Sequence, residues 1–386
     1  MNDLKPKIRA LEVFPTIVDG KEMIILRDPL DLSSQMVFLS PQSFFLVTLM
    51  DGNKSCDDLR MEFFKRNGIL PSNEEVSLLI NQLSNLGLLE DENYFRLVNG
   101  KVDEIIKSGK RKAACAGSSY PDEKERLIEF LKEIEKEDVP LREREPDLLI
   151  APHLDINISK PAYAHCYKDL KLKNKNIIVI FGVSHYGLSK PLSIFPIPFE
   201  TPFGLIPIEE EILKNFSETF GMPDSLDILS HSKEHSIELQ LIFLQHFLKK
   251  EFSIVPILVD GSKGNFDGYI EFFNNLILRE DVFLIAAIDL SHIGPRYGHN
   301  FPATKEVMEK AKEEENYLLD LVLKKDLKNF EIFKEEKANY LKICGIDVLK
   351  MLLNFPIRDG IIRSHHTGFM PSLASAVNCV SMDVFF

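Results

Sequence analysis

Five apolar runs dominate the second two-thirds of the chain: Asp147–Ala151 (DLLIA), Ile177–Phe181 (IIVIF), Phe252–Val259 (FSIVPILV), Val282–Ile288 (VFLIAAI) and Val380–Phe386. Between them lie helical patterns: DEKERLIEFLKEIEKE, EHSIELQLIFLQHFLKK and TKEVMEKAKEEENYLLDLVLKK. Strands that are apolar on both faces need cover on both faces, so this alternation predicts an α/β layered domain around a buried sheet. Domain length supports one large unit from about residue 115 to 386, with core enough to need no covalent staples.

The polar residues that end these runs carry the functional signal. LLIAPH puts His153 just past a strand, IIVIFGVSH does the same for Ser184 and His185, and LIAAIDLSH for Asp289, Ser291 and His292. In open α/β sheets ligands bind outside the carboxyl ends of the strands, so three such endings point to one site. A single histidine after a strand is ordinarily a satisfied core residue; three strand-end histidines are a pattern. Cys344 sits two residues ahead of the apolar-periodic helix IDVLKMLL, where the positive end of a helix favours thiolate. Two neutral imidazoles and one thiolate or carboxylate form a compact facial set that leaves open positions on a metal, suiting Fe(II), with Zn(II) or Cu as substitutes. HSKEHSIELQL contributes Glu234 and His235, expected at the pocket mouth. It also matches H-x-x-E-H, a zinc-protease helix motif, but Ser232 and Ser236 predict a helix start that leaves His231 outside.

The first hundred residues read differently. Met23–Leu26 and Met36–Leu39 suggest a hairpin-like β start, followed by helices opened by Pro41, by Ser55 and by the stretch PSNEEV, and a closing strand NYFRLV. This pattern predicts a small winged-helix-like α+β domain over 1–98, joined by a polar, basic linker, 99–114. Residues 1–100 hold ten Lys/Arg against fifteen Asp/Glu, whereas a DNA reader needs a basic face. The whole chain carries a net charge of −13, which argues against nucleic acid or an anionic membrane as partner. Five scattered cysteines without a CxxC pair, and no positive n-region followed by an apolar h-region in MNDLKPKIRALEVF, predict a cytoplasmic protein with reduced thiols.

Six motifs in order carry a family resemblance: AGSSYP (116–121), APHLDINISKPAYAHCY (151–167), VIFGVSHYG (179–187), EHSIELQLIFLQ (234–245), DLSHIGPRYG (289–298) and CGIDVL (344–349). Together they resemble the Memo family, whose prokaryotic members are called AmmeMemoRadiSam system protein B. The resemblance implies a fold like that of class III extradiol dioxygenases, which use non-haem Fe(II). It implies His153, His185 and Cys344 as metal ligands, with Asp289 and His292 near the pocket as catalytic candidates. It also implies association with a radical SAM enzyme and an AMMECR1-type protein. The amino-terminal unit resembles PqqD-like, peptide-recognising winged-helix domains, which adds a peptide as a candidate ligand. Two features depart from the family pattern. Where members often carry a PHAGY-like sequence, this chain has His153-Leu154-Asp155, adding a carboxylate expected near the site. RSHHTGFMPSLASAV adds His365 and His366, expected in a loop. Two functions follow: a metal-dependent oxidoreductase with His292 as acid/base oriented by Asp289, or a non-enzymatic metal- or peptide-binding partner.

Overall fold

A computed structural model describes residues 4–33 and 35–386. The chain separates into two compact units, Met1–Lys107 and Ser108–Phe386.

In the first unit, β1 (Glu12–Val18), β2 (Lys21–Arg27) and β3 (Val37–Leu39) form an antiparallel sheet in the order β1-β2-β3. The predicted pairing of the two apolar stretches is the β2–β3 contact. β1 was not anticipated; Asp19 and Gly20, both at positive φ, turn it onto β2. Helices α1 (Pro41–Thr48), α2 (Cys56–Asn67) and α3 (Asn73–Asn85) follow, and Ser55 and Ser72 close capping boxes. The expected closing strand is instead helix α4 (Glu92–Ser108). Tyr94, Val98 and Val102 recur every four residues and are its buried face, a helical period that overrides the β-prone NYFRLV. α4 also runs ten residues into the stretch expected to be linker. The core gathers Leu26, Leu39, Leu46, Met50, Leu59, Ile80 and Leu83.

The second unit begins with α5 (Lys124–Glu135), β4 (Leu148–Ala151), α6 (Ile156–Tyr167) and β5 (Ile177–Val183). Then come short strands β6 (Leu192–Ile194), β7 (Phe199–Thr201) and β8 (Gly204–Ile206), and helices α7 (Glu210–Phe220), α8 (Ser225–Lys233) and α9 (His235–Leu248). β9 (Ser253–Val259), α10 (Asp267–Ile277), β10 (Val282–Ala287) and β11 (His292–Ile293) complete the middle. The last elements are α11 (Lys305–Leu323), α12 (Leu327–Phe333), α13 (Asn339–Leu341), α14 (Ile346–Leu352), β12 (Asp359–Met370) and β13 (Ser375–Phe385).

Eight strands make one mixed sheet. β4, β10, β5 and β9 are parallel neighbours in that order; β6 adds antiparallel to β9, and β13 antiparallel to β4. β12 pairs along the length of β13. Alternate residues of each central strand feed the two faces. Val179, Phe181, Val255, Ile257, Leu284 and Ala286 meet Phe273, Val348 and Phe355 on one side. On the other, α6 and α9 stack Tyr163 and Tyr167 on Phe243, with ring centroids 4.4 and 5.3 Å apart. The mixed α/β architecture around a buried sheet is thus as the apolar runs predict.

Candidate metal centre

Because β4, β10 and β5 are parallel neighbours, their carboxyl ends open on the same edge of the sheet. The residues just beyond them are His153, Asp289 and His185. Two glycines close the site. A Cβ on Gly182 would come 2.5 Å from Ser236 Oγ, so its absence lets the start of α9 reach the end of β5. A Cβ on Gly345 would lie 2.5 Å from Ile288 Cβ, so its absence lets the segment ahead of α14 lie against the end of β10, carrying Cys344 with it.

One ligand atom from each of His153, His185 and Cys344 lies within 4.8 Å of the other two. Cys344 Sγ is 3.4 Å from His153 Nε2 and 3.5 Å from the Asp289 carbonyl oxygen. Each ring is anchored through Nδ1. That of His153 donates to the Ala287 carbonyl at 3.0 Å, and that of His185 lies 2.9 Å from Glu234 Oε1. Both Nε2 atoms therefore remain for a ligand, the arrangement usual for metal-binding histidines.

Glu234 is the buried organiser. It ends α8 and caps α9, and its carboxylate accepts from the backbone N–H groups of His185 (2.9 Å) and Ser236 (3.0 Å). Burial would raise its pKa, but His185 and then His235 hold it far below the usual carboxylate range. Burial likewise works against charge on His185. The Glu234 carboxylate and a hydrogen bond with Cys344 outweigh it and hold that imidazole well above its ordinary value. His185 keeps 31% side-chain exposure, so solvent screens part of this pair. His153 is pushed well below, first by burial and then by His185 and His235. Cys344 departs from expectation. Burial raises its pKa despite the hydrogen bond from His185, so the metal-free residue is a thiol rather than a thiolate. The Asp289 carboxylate pushes in the same direction as burial.

His235 stacks on His185 with centroids 4.7 Å apart and meets His153 edge-on at 5.2 Å. A second group of ligand atoms, from His185, Glu234 and His235, is similarly close. Glu234 is buried rather than at a pocket mouth, while the His235 side chain is partly exposed.

Asp289 does not orient His292. Its carboxylate accepts from the His153 backbone N–H at 3.1 Å and lies 3.6 Å from His153 Nε2. Burial lifts its pKa to about 7. His292 instead uses Nδ1 on the Leu290 carbonyl at 2.9 Å and meets Tyr297 edge-on; burial lowers its pKa to about 4. Ser184 Oγ is buried without a hydrogen-bond partner among the described residues. Asp155 is exposed and caps α6, accepting from Asn157 N–H at 2.9 Å, so its carboxylate serves the helix. His365 and His366 lie in strand β12, not a loop: His365 Nε2 meets the buried Glu315 at 2.6 Å, and His366 Nε2 donates to the Ile158 carbonyl. His231 lies in the last turn of α8 rather than in a loop, on a different helix from His235, and donates from Nε2 to the Ser193 carbonyl, which removes the H-x-x-E-H geometry.

A sequence profile of Memo-like proteins matches residues 111–366. The chain belongs to the Memo family. A MEMO1 family protein of Aquifex aeolicus (strain VF5) is 29% identical over 368 residues, covering 92% of this chain and 93% of its own. One from Thermus thermophilus is 28% identical over 338 residues, covering 85% and 98%. One from Saccharolobus islandicus is 32% identical over 214 residues, covering 51% and 74%. The Aquifex alignment is too long to fit within the Memo-like region, so the likeness extends into the first unit.

The Memo-like region starts at Arg111, a residue sequence reasoning assigned to a basic linker. Its guanidinium is buried against Glu238 and reaches the carbonyls of His231 and Glu234. A lone arginine among KRK offered no sequence signal for this, since Glu238 and the carbonyls of His231 and Glu234 lie 120 or more positions away.

Proposed function

We propose that this Memo family protein holds one transition metal, Fe(II) foremost with Zn(II) or Cu as alternatives, on His153, His185 and Cys344, and uses it in redox or ligand processing. The observation that carries the reading is the convergence of these three ligand atoms from three elements, with both ring Nδ1 atoms already committed. The donor set fits a borderline-to-soft divalent ion: two imidazoles and a sulfur that deprotonates on coordination. When bound, the metal supplies Lewis acidity and open positions for a small substrate. The protein's own groups do the rest. Glu234 fixes His185 and takes up its positive charge. Asp289, poised near neutrality, holds or releases a proton beside His153, and His292 offers an uncharged imidazole at pH 7. A class III extradiol dioxygenase-like activity, and action beside a radical SAM enzyme and an AMMECR1-type protein, are the extensions that the resemblance suggests.

The alternative is a non-enzymatic metal- or peptide-binding partner. Its support lies in the first unit, read as PqqD-like: β1 is an edge strand with Val13, Phe14 and Ile17 exposed, suited to adding a peptide strand. Anaerobic Fe(II) titration of wild type, His153→Ala, His185→Ala and Cys344→Ala tests the metal reading; equal stoichiometry and affinity in all four would end it. Aerobic turnover of catechols, set beside pull-down of radical SAM partners, separates the two roles.

A further inference from the structure

Helix α8 ends where α9 begins, and the shared residue is Glu234. Helix C-termini leave carbonyls without intrahelical donors, and when buried these need other partners. Here one side chain serves them. Arg111 donates Nε to the His231 carbonyl at 3.2 Å and Nη2 to the Glu234 carbonyl at 2.6 Å. Its Nη1 pairs with the Glu238 carboxylate one turn into α9, and both side chains are fully buried. The guanidinium lies over the Phe199 ring, 4.9 Å from its centroid. Its backbone is held too, by N–H to Pro198 O at 2.7 Å and by Glu200 N–H to its own carbonyl at 2.8 Å.

Glu238 is equally committed. It accepts from the N–H groups of Ala114 and Cys115, each at 2.8 Å, and from the Tyr120 hydroxyl. The segment 111–120, which includes the AGSSY stretch, is thus strapped to the α8–α9 junction through one buried carboxylate. None of these groups touches the ligand trio directly.

We propose that Arg111 is a positioning residue for the metal centre: locked by Glu238, it fixes the Glu234 main chain so that the Glu234 carboxylate holds His185 with Nε2 turned toward His153 and Cys344. A planar fork can bridge two carbonyls and a carboxylate at once; a lysine ammonium, a point charge on a flexible stem, lacks that fixed geometry. The inference rests on the metal reading for its functional consequence, but the positioning itself is a property of the metal-free protein.

The full-length chain tests it in two ways. In metal-free protein carrying ¹⁵N-histidine, the His185 ring resonances report its Nδ1 contact with Glu234. In a Co(II) titration, absorption reports affinity and coordination. Removing Arg111 alone strands the buried Glu238 charge and risks unfolding, so the main variant is Arg111→Leu with Glu238→Leu, which removes both charges together. Arg111→Lys is the second. Removing the outer partners of metal-bound histidines lowers metal affinity about 10–100-fold, and the double variant should fall near the lower end. Its His185 ring shifts should lose the hydrogen-bonded signature, and Arg111→Lys should recover part of both. A folded double variant with wild-type His185 shifts and wild-type Co(II) affinity overturns the proposal. If the double variant does not fold, Arg111→Lys decides: wild-type shifts and affinity in it overturn the proposal. Wild-type protein that takes up no Co(II) defeats the metal reading alone, while the ring shifts still decide the positioning.

Discussion

Without a metal, His185 and Cys344 both favour their protonated forms: burial works against charge on His185 but the Glu234 carboxylate outweighs it, and burial disfavours the Cys344 thiolate. His153 is already neutral. Metal uptake should therefore release about two protons and strengthen as pH rises, since ligands must deprotonate to bind. Calorimetric titration in two buffers of different ionisation enthalpy measures this directly; zero release would contradict the assignment. His292→Ala should leave metal content near wild type while impairing turnover or ligand handling, because the converging ligand atoms come from His153, His185 and Cys344 and not from His292. Loss of the metal in that variant would make His292 a ligand. Cys344→Asp should retain Fe(II) while weakening thiophilic metals, as competition with Cu(I) or Zn(II) would show.

At the scale of elements, the site depends on how closely α9 and the segment before α14 approach the strand ends. Gly345→Val forces a side chain against Ile288 and the Asp289 carbonyl. Overpacking of this kind costs about 1–3 kcal/mol, and here it also moves Cys344 off β10. A lowered melting temperature together with weakened Co(II)–thiolate absorption is the expected outcome; destabilisation with an unchanged spectrum would show the close approach to be structural only. The strand ends and Cys344 were legible beforehand, because the former follow continuous apolar runs and the latter stands just ahead of an apolar-periodic helix. Glu234's part was not. A Glu ahead of an amphipathic helix reads as a surface cap, and only the pairing of β5 with β10 and the approach of α9 show that it lies beneath His185.

For the whole molecule, buried imidazoles make the fold sensitive to acid. His231 is buried and its pKa falls to about 3, chiefly through burial. Between that value and the unfolded value near 6.5, the unfolded chain binds the extra proton. This group's contribution is therefore present above about pH 6.5 and lost as pH falls toward 3. His292, lowered to about 4, acts in the same direction, whereas Asp289, raised to about 7, opposes it. Urea unfolding of wild type and His231→Gln at pH 7 and pH 5 should show a smaller loss on acidification in the variant. The first unit, with ten Lys/Arg against fifteen Asp/Glu over residues 1–100, should not bind random duplex DNA; salt-dependent binding by a fragment ending at Lys107 would contradict this.

Local chemistry determined much of this protein in advance. Apolar period set the buried strands and most helices, serine caps set where α2 and α3 begin, and the residues after each strand marked the site. Where a β-prone string met a four-residue apolar period, as in NYFRLV, the period prevailed because α4 buries Tyr94, Val98 and Val102 together. Charge and burial could not be read that way. Whether Cys344 is a thiol, whether Asp289 supports His153 or His292, and why Arg111 is buried all depend on partners distant in sequence. Those energies arise from desolvation and from pairs that exist only once the strands are ordered β4, β10, β5 and the glycines let the helices close on them.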